Sequence, residues 1–327
     1  MKRNGNAKRL RAALAAAFFA ALMALLFTGC KDLFHPDDDD DDTVLPSDYT
    51  LAQYLTWLKT NAVEGGNYSI TVKNNETIGP QTLSYSGKNV NITLDGGTAE
   101  RIVSLSSTGS LFTVDSGVTL TLDNNITLRG RSNNTASLVQ VNNWGTLEMN
   151  TGSKVTGNTY SYSYSSSNSS GGGVSVAGGT FTMSGGTISG NSASNVGGVY
   201  VGSDGTFTMR GGTISGNSAN YNAYASGNGG GVGVTGTFRM SGGTISSNFA
   251  SNWGGGVLVF ADGTFIKQSD GVIYGSDASA SLKNTATDIS GYYGHAVFAS
   301  TGKLRNSTAG QGVTLDSRVS GSAGGWE

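Results

Sequence analysis

The chain has 327 residues, of which 51 are Gly, 3 are Pro and one is Cys; charged residues make up 13% and the formal net charge is −2. So few charges argue against a disordered polyelectrolyte, and a lone cysteine excludes a disulfide framework or a Cys-rich metal site. A net acidic chain with no basic patch is a poor nucleic-acid binder, which sets that class aside.

Residues 1–29 read as a signal peptide, with Lys2, Arg3, Lys8, Arg9 and Arg11 ahead of the apolar stretch Ala12 to Phe27. Removing those five cations takes the formal charge from −2 to −7. The segment ends Phe27-Thr28-Gly29-Cys30, which resembles a bacterial lipobox, with Phe27 where Leu is usual, as in the looser lipoboxes of spirochaetes. The resemblance implies diacylglycerol attachment at Cys30. Residues 30–48 then carry six consecutive acids, Asp37 to Asp42. They lack the spaced ligands and turn glycine of a Ca²⁺ loop, so self-repulsion makes them a solvated tether.

A helix is predicted over 49–66, since Leu51, Tyr54, Leu55 and Leu58 follow helical spacing between Thr50 or Asp48 as N-cap and Gly65-Gly66 as stop. Its place ahead of the strands makes it a lid on the apolar end of the strand-rich region. From Tyr68 to Leu128 come short alternating runs such as Val90-Asn-Ile-Thr-Leu94 and Val118-Thr-Leu-Thr-Leu122. Alternation with period two denotes strands with one buried face.

Between Gly171 and Gly275 one phrase recurs four times, as in GGGVSVAGGTFTMSGGTISGNSA from Gly171. Each copy holds three short alternating runs divided by glycines, too short for propeller blades. The expected fold is all-β: a right-handed parallel β-helix over 67–283, with about eight or nine coils stacked about 4.8 Å apart. Equivalent residues should then form ladders. Phe181, Phe207, Phe238 and Phe265 make one, Met183, Met209 and Met240 a second, Ile188, Ile214, Ile245 and Ile273 a third. Asn191, Asn217 and Asn248, each three residues after an Ile, make a polar ladder that should satisfy corner backbone groups. Residues 284–327 are expected to supply the last coils and a C-terminal cap.

Coil length varies just after the Asn, at Thr159–Ser170, Ser192–Val196, Ser218–Asn228 and Phe249–Trp253. Stacked at one corner, these inserts should line one edge. Tyr160, Tyr162 and Tyr164 in the first, Tyr221 and Tyr224 in the third, and Trp253 are the candidate ligand contacts, because Tyr/Ser/Asn-rich loops suit adaptable recognition. The plainer reading is a tolerated surface loop.

Catalytic patterns are sparse. From Gly171 to Phe260 the charged residues are Asp204, Arg210 and Arg239, which make no carboxylate pair. Asp95, Asp115 and Asp123 sit in turn-like contexts, His35 lies in the tether and His295 in the terminal coil, and no nucleophile–base pair is visible. Gly231-Val-Gly-Val-Thr-Gly236 matches GxGxxG, but no helix comes after it to cradle a phosphate. No cofactor and no metal is expected.

The phrases GGTFTMSGGTISGN and GVTLTLDNNITLRG, with the Trp-Glu ending, resemble repeat lipoproteins of treponeme-like spirochaetes. That resemblance implies an adhesin-like β-helix at an outer membrane or cell surface, and no catalytic residues. The expected function is non-catalytic adhesion by a monomer, to a glycan or a host surface protein. A polysaccharide-active enzyme and a passive surface spacer are the alternatives.

Overall fold

The computed structural model describes residues 48–161, 171–220, 227–267, 270–275, 278–287, 294–299 and 303–306, with 303–306 as backbone alone. The signal segment, Cys30 and the acidic run lie outside the described residues, as do Tyr162, Tyr164, Tyr221 and Tyr224.

The architecture is an all-β parallel solenoid with one short helix near its N-terminus. Four ladders of parallel strands run along it, with nine, eight, eight and five strands. We name them after their inward residues. The Phe sheet has nine strands, among them Val118–Leu122, Thr146–Met149, Thr180–Met183, Thr206–Met209, Thr237–Met240 and Thr264–Lys267. The Ile sheet comes next in each coil, as in Thr187–Ser189 and Thr213–Ser215, and the Val sheet later, as in Val174–Val176 and Val199–Val201.

Register is set by alternation, since a one-residue slip would turn every core side chain outward. Phe181, Phe207 and Phe238 pair directly, as do Ile188, Ile214 and Ile245. The four phenylalanine rings stack nearly parallel, with centroids 4.6, 4.7 and 4.9 Å apart, and are fully buried. Leu147 occupies the same column one coil earlier.

The fourth ladder was not expected. Directly after each Asn the chain lays down two extended residues, Thr159–Tyr160, Ser192–Ala193, Ser218–Ala219, Phe249–Ala250 and Thr285–Ala286. The ranges read as inserts from sequence therefore begin as regular structure. The amide of Ser218 donates to Asn191 O at 2.9 Å and that of Phe249 to Asn217 O at 2.9 Å. From Ala193 onward the inward residue of this corner is small, and Ala219, Ala250 and Ala286 form a buried cluster of their own; the first strand has Tyr160 there.

The Asn ladder holds this corner and runs through six residues, Asn134, Asn158, Asn191, Asn217, Asn248 and Asn284, each at most 1% exposed. Each of Asn191, Asn217 and Asn248 donates its side-chain amide to the next Asn Oδ1, at 3.1, 3.0 and 2.9 Å. The same amides donate to carbonyls of Val155, Ile188 and Ile214. Buried backbone groups with no strand partner are thereby satisfied.

Helix α1, Leu51–Asn61, is shorter than predicted and opens with a capping box between Thr50 and Gln53. Its buried face is Leu51, Tyr54, Leu55 and Leu58, and Trp57 packs edge-on against Tyr68 at 6.5 Å. The first coils clasp both ends of the helix. Glu76, on the inward parity of the Ile sheet, accepts the Leu51 amide at 2.9 Å, and Lys88 Nζ donates to Ala62 O at 2.5 Å. A carboxylate at the N-terminus and an ammonium at the C-terminus both favour the helix dipole. Among the described residues no helix is long and apolar enough to cross a membrane.

At the other end the Met column is interrupted, because Met240 registers with Lys267, which is 3% exposed. Burial holds the Lys267 ammonium below its ordinary value of 10.5, with Asp270 opposing. A Lys whose folded value lies below its unfolded one lowers stability while charged, and that loss fades as pH rises towards 10.5. Lys267→Met, which completes the column, is expected to stabilise the chain by about 1 kcal/mol or more at pH 7. The gain should shrink in urea unfolding at pH 9.5. Equal midpoints for both chains at pH 7 would contradict this account.

Candidate functional site

The corner after the Ala ladder is where the chain departs from its repeat. The five two-residue strands pair in one ladder, so the segments after Tyr160, Ala193, Ala219, Ala250 and Ala286 all leave from the same edge. Their described parts are tied by a second row of amides. Asn252 Nδ2 donates to Asn228 Oδ1 at 3.0 Å, and Asn228 Nδ2 lies 3.5 Å from Asn195 Oδ1. Backbone bonds from Gly227 to Ser194 O and from Asn252 to Gly227 O, both 3.0 Å, complete the link.

Beyond this row the chain folds back over the outer face of the Val sheet. The outward column there runs Ser175, Tyr200, Gly233, Leu258 and Phe298. Leu258 is 1% exposed although its parity points it away from the main core. Trp253 stacks on Phe298, with centroids 5.2 Å apart, and Val196 is fully buried. Gly233 has a packing reason: a Cβ there would meet Val196 Cγ2 at 2.4 Å. The GxGxxG match is thus a strand whose glycine makes room for a covering side chain.

This arrangement divides the predicted contact residues. Tyr160 registers with Ala193, is 8% exposed and belongs to the ladder, so it is covered where an exposed contact was expected. Trp253 is half-buried and stacks on Phe298. The other four tyrosines fall outside the described residues.

The acids also separate. Asp95 accepts from its own turn at Gly97 N and from Thr71 Oγ1 at 3.0 Å. Asp115 lies at a different corner, and its carboxylate accepts from Asn142 Nδ2 of the next coil at 2.7 Å. Turn chemistry accounts for Asp95; for Asp115 it accounts only for the backbone. On the outer face of the Ile sheet Glu100 accepts from Thr127 Oγ1 at 2.7 Å and Lys154 Nζ at 2.9 Å. The Thr127 bond first, then Lys154, hold its carboxyl below the usual range. Among the described residues no group of three His, Cys, Asp or Glu could hold a metal ion. His295 accepts the Ala286 amide on Nδ1 at 3.1 Å.

Sequence reasoning passed over Trp144, which is 81% exposed and has φ of 64°. A signal was present: Trp144 fills the turn slot that Gly117 fills one coil earlier.

Fold and corner together define a parallel β-helix repeat protein whose coil-to-coil variation is confined to one edge. Comparison with protein-family models, curated proteins and solved structures finds no match to this chain.

Proposed function

We propose that this chain is a lipid-anchored cell-surface protein that binds a glycan or host-surface ligand without chemical turnover, using the edge where its inserts emerge. The observation that supports this most is the stacking of insert roots in one ladder, which puts roots 26–36 residues apart in sequence side by side. A rigid scaffold that presents adjacent variable loops is the usual physical basis of recognition. The non-catalytic part of the reading rests on charge placement. Asp204 lies in a turn, Arg210 comes just after a Phe-sheet strand and Arg239 points outward from the Phe sheet, so they share no coil position.

The test displays the full chain on cells and measures binding to an array of glycans and matrix proteins. A variant with Tyr162, Tyr164, Tyr221 and Tyr224 changed to Ser runs alongside; Tyr160 is left in place because it is buried in the ladder. Selective binding lost in this variant is the expected result, and Cys30→Ser should release the chain from the cells. No binding to any array member would overturn the recognition reading in favour of a passive spacer.

A further inference from the structure

A second corner, between the Val sheet and the Phe sheet, carries an open recess of about 530 Å³ lined by Ser84, Gly87, Asp115, Ser116, Asn142 and Asn143. It is built from three successive tight turns. Lys88 N bonds Tyr85 O at 3.0 Å, Val118 N bonds Asp115 O at 3.1 Å and Gly145 N bonds Asn142 O at 3.0 Å. Their third positions are Gly87, Gly117 and Trp144, with φ of 76°, 80° and 64°.

Left-handed backbone suits glycine, and for a bulky side chain it is strained. Asp204 and Asp262 hold the corresponding slot in later coils without entering that region. Trp144 gains no burial in exchange for its strain, being 81% exposed. Gly117 stands one coil before it in the same column, with Asn89 in that column one coil earlier still, and Trp144 directly follows Asn142 and Asn143, which line the recess. Lining that corner are polar groups at the surface: Asp115 Oδ1 accepts from Asn142 Nδ2, leaving Oδ2, and Ser84, Ser116 and Asn143 are exposed.

We infer that Trp144 and this recess form a binding subsite for a neutral pyranose sugar, distinct from the insert edge. The exposed indole offers a flat apolar platform for the C–H face of a pyranose ring, beside the polar groups of the recess. Asp115 Oδ2 accepts from ring hydroxyls, with Asn143 and the serines as further partners. The carboxylate repels uronic or sialic acids, which restricts the ligand to uncharged sugars. The strain at Trp144 fits a residue retained for contact at some cost to stability.

The experiment titrates the full chain with maltoheptaose, cellohexaose and a neutral galactan oligomer, and with an oligogalacturonate as acidic probe. Trp144→Gly should weaken the neutral-sugar affinity by at least about tenfold. It should also raise the melting temperature, because glycine relieves the strained φ, so lost binding cannot be ascribed to misfolding. Asp115→Asn, which preserves the bond from Asn142, should weaken binding by about tenfold. The four-tyrosine variant should bind these oligomers as the parent does. Unchanged affinity in Trp144→Gly, preference for the acidic probe, or no binding of any neutral probe by the parent would each overturn the subsite. Loss in the tyrosine variant with retention in Trp144→Gly would overturn it too, and would leave the insert edge as the recognition surface.

Discussion

Phe207→Asp destabilises the β-helix by about 4 kcal/mol or more at neutral pH, from cavity and buried-charge costs together. Phe207 is the second of four stacked rings, fully buried between Phe181 and Phe238 at 4.6 and 4.7 Å. Removing the ring takes contacts from both neighbours, and nothing nearby can pair a carboxylate, since the adjoining inward residues are Met209 and Val201. Burial raises the folded value of the new Asp above its unfolded value. Stability contributed by the protonated form is then present below the unfolded value and lost as pH climbs through the folded one. The defect should therefore be larger at pH 7 than at pH 4 in urea unfolding. Phe207→Leu is the control, because Leu147 already fills this column, and it should cost only about 1 kcal/mol. Equal midpoints for the Asp variant and the parent would mean that Phe207 faces solvent and the register is wrong.

Asn217→Leu should be nearly as damaging, at about 3–5 kcal/mol, although it makes the core more apolar. Asn217 Oδ1 accepts from the backbone and side-chain amides of Asn191, both at 3.1 Å, while its own amide serves Ile188 O at 2.9 Å. Leucine can replace none of these. The Asn191 amide and the Ile188 carbonyl would be left buried without partners, and each costs about 1–3 kcal/mol. The structural signature is local: amide hydrogen exchange at Asn191 should accelerate more than at Phe181, one strand away on the Phe sheet. A loss below about 1 kcal/mol would show that solvent reaches the corner and satisfies these groups instead.

Much of this was legible in one sequence because a strand's side chains alternate. Period two in Thr180-Phe-Thr-Met183 places Phe181 and Met183 inward without knowledge of any neighbour, and the 26-, 31- and 27-residue Phe spacings then dictate what stacks on what. The Asn column could be read the same way from Asn158 to Asn248, each three residues after Val155 or an Ile, and not at Asn284, eleven residues after Ile273. Even the Lys267 break is visible, since Thr-Phe-Ile-Lys aligns with Thr-Phe-Thr-Met.

The Ala ladder was hidden because two residues, such as Ser192-Ala193, are too few to display a period, and they open segments of variable length. Leu258 and Phe298 break the alternation from sequence, being apolar at outward parity, and only the fold-back that brings Val196 and Trp253 over the Val sheet gives them cover. Tyr160 was misplaced for the same reason, its burial depending on a ladder the sequence does not announce. Trp144 could be aligned with Gly117, but its φ of 64° and its exposure next to Asn142 and Asn143 are properties of stacked turns.

From sequence alone, then, came the all-β repeat, the inward face of each long run and the order in which coils stack. Those arise from a local rule, the pleat, that acts over a few residues. The tertiary structure decided which corners close, which outward faces are covered and which asparagine side chains meet across coils 24 to 36 residues apart, because those depend on where non-adjacent chain segments come to rest.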